Sequence, residues 1–357
     1  MRTQPLKFLG SMTRDEKSLL LIGGLIPILL ILVLIARYRP AESIPLRPWS
    51  VCFLPDGNGI ATVGGTSNPN ELPRRGELVL WDLAKNSERF VLKQRSSVRS
   101  VACAPNGQFL AICDFNGSVK LVNPADGKII TTLPFHSDLA NSVVVSANSQ
   151  LVASGGFDGN IQLWNPASRH LEVLSLPGER ILNVAISPGA QALVATTRKG
   201  KAFLFDLIGK GLPKQLEASS PPVSGNANAE TASFAPDGKA FATGCGKSLR
   251  LWESPAGVLL REFTNTASIT SVVFSPDGGS LLAVSTDGKL AVWAVESGER
   301  LQAIQVHDGV SYCAAFSSDG ERLATVGRDD FQAKVWDART FKLLNQVERV
   351  TSLRRAR

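Results

Sequence analysis

One motif recurs seven times along this 357-residue chain: a small-residue turn, a short apolar run, then an aromatic or apolar residue near an Asp or Asn. The closing residues are Trp81, Val122, Trp164, Phe205, Trp252, Trp293 and Trp336, separated by 41, 42, 41, 47, 41 and 43 positions. A period in this range marks four-stranded propeller blades, units that cannot bury both faces alone and must stack on neighbours. Seven such units closed in a ring satisfy that requirement.

The strands within a unit are legible from the turns. A first strand runs into a Pro- or Gly-bearing reversal, as in Ser50 to Gly57 (SVCFLPDG) and Ser271 to Gly278 (SVVFSPDG). Proline presets the turn dihedral and glycine accepts positive φ, so the chain reverses there. A second strand follows (Leu151 to Ser154), then a turn, then a third strand (Ile161 to Asn165), then a weaker fourth (Lys128 to Leu133). The expected fold is all-β, a seven-bladed propeller of four-stranded antiparallel blades over residues 49–347, preceded by one transmembrane helix.

At these residues the chain resembles the WD-repeat family. The family's structural tetrad of His, Ser or Thr, Asp and Trp has counterparts in the third repeat at His136, Ser154, Asp158 and Trp164, and in the seventh at His307, Thr325, Asp330 and Trp336. In the seventh the adjacent Asp329 leaves the register of the acid open by one position. Other repeats depart from the pattern: the second closes on Val122, the fourth closes on Phe205 with Lys199 in the Asp place, and the sixth has Asn265 in the His place.

Residues 1–18 form a polar flank, and Leu19 to Ala36 is a run of 18 residues without a charge between Lys17 and Arg37. That is close to the length a helix needs to cross a bilayer. A cleaved signal peptide is the rival reading, but the run is long for one, and Arg37-Tyr38-Arg39 stands where a small-residue cleavage site belongs. The expected product is a single-pass membrane protein with a short proline-bearing tether at 37–48. Lys7, Arg14 and Lys17 on one side balance Arg37, Arg39 and Arg47 on the other, so the positive-inside rule assigns no side to the propeller. The net charge of +7 is spread along the chain, apart from a basic tail at 348–357.

Chemistry is sparse. Two of the three histidines fall in the tetrads and the third, His170, stands alone, so no metal, cofactor or catalytic residue is assigned. Five cysteines without a CxxC spacing read as small buried hydrophobes. The leading reading is a membrane-anchored, non-catalytic protein-interaction scaffold. A propeller-fold enzyme is the alternative, and nucleic-acid binding comes third, because no dense basic stripe with interleaved aromatics is visible. Aligning the first strands on Phe53, Cys103, Val145, Ile186, Phe234, Phe274 and Phe316 puts the residue four places earlier at the mouth of the ring: Trp49, Arg99, Asn141, Leu182, Glu230, Thr270 and Tyr312. Blades seven and one are ring neighbours, so Tyr312, Trp49 and Arg99 should be contiguous and of the types enriched at binding hot spots. Two long loops, Thr66 to Gly76 and Leu216 to Glu230, should open on the same face, as the resemblance implies. Arg74 and Arg328 would add positive charge there and favour an acidic segment of a protein partner. Phe341 to Val347 is the expected outer strand of blade seven, leaving closure of the ring to side-chain packing.

Overall fold

The structure is a computed structural model that describes residues 46–66, 75–217 and 230–348. Among them, 28 strands form seven four-stranded antiparallel sheets, each in simple sequential order. The blades span 47–94, 98–132, 140–175, 181–216, 230–264, 269–305 and 311–348. Leu19 to Ala36, Arg74, the interiors of both long loops and the basic tail from 349 lie outside the described residues. Among the described residues no helix is long and apolar enough to cross a membrane.

All seven blades share one register. Phe53 pairs with Ile60 and Ile60 with Trp81 in blade one. The same rung recurs as Cys103–Leu110–Val122 in blade two and Ile186–Leu193–Phe205 in blade four. The blades that lack a closing Trp therefore keep its position. Seven apolar clusters fill the seven interfaces between blades, for example Leu282, Val284, Leu290 and Val292 of blade six against Ala314, Leu323 and Trp336 of blade seven. The turns behave as proline and glycine dictate: at Pro55-Asp56-Gly57 the Gly57 N–H donates to Leu54 O at 2.9 Å with φ of 66°, and the Asp56 carboxylate accepts from Asn58 N.

The ring closes without an exchanged strand among the described residues. Arg47–Phe53 is the inner strand of blade one, and Gln332–Asp337 of blade seven pairs only with its own neighbours, Arg322–Gly327 and Leu343–Glu348. The outer strand starts two residues later than expected, because Phe341 is spent in the turn: its N–H donates to Asp337 O and its φ is 54°. Val51, Phe53, Ile60, Val79 and Trp81 pack against Ala324, Val326, Ala333, Val335 and Val347 across this junction. Asn345 also donates to Leu83 O at 2.9 Å.

A belt of side chains ties the inner strands together. Each inner strand is a sheet edge, whose outward N–H groups have no partner strand and need another acceptor. The preceding blade supplies one. Ser50 accepts from Val101 N, Ser100 from Val143 N, Ser142 from Val184 N, Asn183 from Ala232 N, Thr231 from Val272 N and Ser271 from Ala314 N, at 3.0 to 3.4 Å. At the seventh junction, from blade seven to blade one, the equivalent residue is Cys313. Its Sγ lies 3.9 Å from both Val51 O and Ser50 Oγ, a weak sulfur contact where six junctions have an oxygen acceptor.

Candidate binding site at the channel mouth

The mouth of the channel is built by bulges. In six blades the pairing register of the inner strand skips one residue, and the skipped residues are Trp49, Arg99, Asn141, Leu182, Thr270 and Tyr312. A bulged residue leaves the ladder and its side chain is re-aimed. Here all six line one cavity of about 100 Å³, with the hydroxyls of Ser50, Ser100 and Ser142 on its wall. In blade one, Arg47, Gly65, Gly76 and Gln94 form a single rung at this end of the sheet. The loop between second and third strands and the link to the next blade therefore both open on this face.

Trp49 and Tyr312 stack across the junction of blades one and seven, with ring centroids 4.8 Å apart, and Phe115 flanks Trp49 at 6.3 Å. The Arg99 guanidinium lies over Trp49 at 4.4 Å and near Tyr312 at 5.8 Å. Its Nε donates to Asn141 Oδ1 at 3.2 Å, while the Asn141 amide nitrogen donates to Leu182 O. Burial pushes the Arg99 pKa below the ordinary arginine value, and among the described residues it forms no ion pair. Arg328 differs. It is bound by Asp329 at 2.7 and 3.1 Å, and Asp329, opposed by burial, raises its pKa with help from the Tyr312 hydroxyl. Its guanidinium is thus paired with a partly exposed carboxylate.

The two tetrads sit behind this surface. In blade seven His307 Nδ1 meets Asp330 at 2.7 Å, its Nε2 meets Thr325 Oγ1 at 2.8 Å, and Trp336 Nε1 donates to the same hydroxyl at 2.9 Å. A neutral imidazole satisfies every group: Nδ1–H donates to Asp330, and Thr325 donates to Nε2 while accepting from Trp336. Asp330 is therefore the tetrad acid, and Asp329 instead accepts from Val310 N. In blade three His136 meets Asp158 at 3.0 Å and Ser154 at 2.9 Å, but the buried Trp164 Nε1 has no partner. The Trp164 side chain as a whole is half-buried. Burial raises both carboxylates and hydrogen bonds outweigh it, from Asn160 N and His136 at Asp158 and from His307 at Asp330, so both pKa values fall below the usual range. Blades one and five keep the Trp–Thr half of the motif, Trp81 to Thr62 and Trp252 to Thr243.

The WD domain, G-beta repeat family matches residues 87–123, 127–165, 257–294 and 298–337. The chain is a seven-bladed propeller that carries WD repeats. Each matched repeat begins on the outer strand of one blade and ends on the third strand of the next, so one sequence repeat spans a blade junction. The chain is 31% identical to SEC12-like protein 1 of Arabidopsis thaliana over 170 residues, 45% of this chain and 42% of that protein. It is 23% identical to Autophagy-related protein 16 of the same plant over 163 residues, 46% and 31% of the two chains. With the rat Serine-threonine kinase receptor-associated protein it shares 28% identity over 111 residues, 31% of each. In each case the chain spans less than half of the relative's own length.

Within this WD-repeat propeller, the sequence pattern missed Phe115 beside Trp49 and gave Asn141 no role at the mouth. Phe115 had a signal. It stands beside a turn acid, as Phe157 does one blade on, where Arg180 covers the ring at 5.6 Å. Asn141 was aligned at the mouth without a role, and its use as a clamp on Arg99 depends on rotamers that spacing does not encode. The five cysteines are free thiols; burial pushes Cys103 up to about 12 and raises Cys52, Cys113 and Cys313. Protonated thiols are poor nucleophiles. Among the described residues, no three His, Cys, Asp or Glu side chains converge to hold a metal.

Proposed function

We propose that this WD-repeat propeller is a membrane-anchored, non-catalytic scaffold that binds a protein partner on the face where the inner strands begin. The observation that carries the reading is the mouth itself: a Trp, a Tyr and an Arg, stacked on one another across a blade junction, in a concave setting. These residue types dominate binding energy when a partner desolvates them, because they bring large area or several donors at modest entropic cost. A relative named as receptor-associated is consistent with a propeller that acts by association. The anchor is Leu19 to Ala36, proposed from its length and lack of charge.

The test is the double variant Trp49→Ala with Tyr312→Ala, compared with the native chain in partner retrieval and thermal unfolding. Neither residue belongs to the shared rung, and Tyr312 packs only against the edge of the cluster between blades seven and one, so the variant should stay folded, with at most a lowered unfolding temperature, and lose its partners. A variant that unfolds at the native temperature and still retrieves the same proteins moves the binding site elsewhere.

A further inference from the structure

We propose that the channel mouth receives a single carboxylate from the docked partner, with the Arg99 guanidinium as its receptor. This rests on the reading above that the partner docks on this face. Arg99 is held from two directions, by the Trp49 face and by the Asn141 carbonyl oxygen, and Asn141 is fixed in turn by Leu182 O. The guanidinium is therefore oriented before anything binds. Its Nε is used, and its two terminal nitrogens have no hydrogen-bond partner among the described residues, leaving the fork that matches the two oxygens of a carboxylate.

Charge gives the selectivity. The neighbouring cation, Arg328, is paired with Asp329, whereas Arg99 has no counter-ion among the described side chains. A partner that covered the mouth with a neutral group would bury an unpaired guanidinium, and that penalty opposes every such complex. A carboxylate removes the penalty and adds charge-assisted hydrogen bonds. The cavity of about 100 Å³ admits the end of an Asp or Glu side chain or a chain-terminal carboxyl, and the Ser50, Ser100 and Ser142 wall supplies hydroxyls for its edges.

The experiment measures binding of short synthetic peptides to the full chain by fluorescence polarisation. Blocked peptides carrying one central Glu or Asp are compared with their Gln and Asn counterparts, and with neutral peptides bearing a free carboxyl terminus. The best acidic peptide should bind at least about tenfold tighter than its amide twin, equivalent to about 1.4 kcal/mol. Arg99→Gln should bring that ratio to one, and Arg99→Lys should restore only part of it. The arm that binds, side-chain or terminal carboxyl, identifies the source. A ratio near one in the native chain overturns the proposal, as does a ratio that survives Arg99→Gln or the failure of every acidic peptide to bind. The native-chain comparison needs no variant, so it stands even where Arg99→Gln does not fold. Loss of partners in the Trp49, Tyr312 double variant together with a ratio near one would leave the docking face in place and remove the carboxylate.

Discussion

Thr325→Val should be among the most damaging single substitutions in blade seven, and Ser154→Ala, its counterpart in blade three, should cost about half as much. Thr325 is 0% exposed, and its hydroxyl serves Trp336 Nε1 and His307 Nε2 together. Valine keeps the shape of threonine, so the change removes the hydroxyl and leaves two buried groups without partners. Each orphaned buried group costs about 1 to 3 kcal/mol, which gives about 2 to 6 kcal/mol for Thr325→Val. Ser154 serves only His136, because Trp164 Nε1 is already unpartnered, and the same reasoning gives about 1 to 3 kcal/mol for Ser154→Ala. Urea unfolding followed by tryptophan fluorescence measures both, with the denaturant slope checked for constancy between variants. A Thr325→Val loss no larger than that of Ser154→Ala would refute the argument that the shared hydroxyl, rather than the presence of the tetrad, sets the cost.

Cys313→Ser should raise stability by up to about 1 kcal/mol, the net worth of one added hydrogen bond, by giving the last junction of the belt the oxygen acceptor that the other six have; urea unfolding of the single variant decides, and a loss of stability counts against it. The full chain should stay with membranes through an alkaline carbonate wash, and its release into the supernatant would remove Leu19 to Ala36 as an anchor.

What the sequence made legible was whatever repeats with the backbone. The closing residues fixed the blade count, and the inward apolar residues fixed the shared rung even where Val122 and Phe205 replace tryptophan, because side chains in a strand alternate with a strict period of two. The mouth residues followed from the same alignment, although nothing in the spacing signalled that a bulge would put them there. What was not legible depended on torsions at the ends of side chains. The choice between Asp329 and Asp330 is one residue in sequence, yet it decides whether Arg328 is a free cation or a paired one. The missing Trp164 hydrogen bond is likewise a matter of side-chain placement within a repeat whose four tetrad residues are all present.

The bulges separate two jobs that a regular strand would force onto one alternation. In an unbroken inner strand, the mouth residue would share its face with residues two and four places on, and its identity would be limited by the blade junction they fill. With one residue looped out of the ladder in six blades, the aperture becomes a set of addressable positions, each four residues upstream of a core anchor that can be found by eye. A new recognition surface can then be written into this ring by changing Leu182 alone, with the seven-blade frame left as it stands.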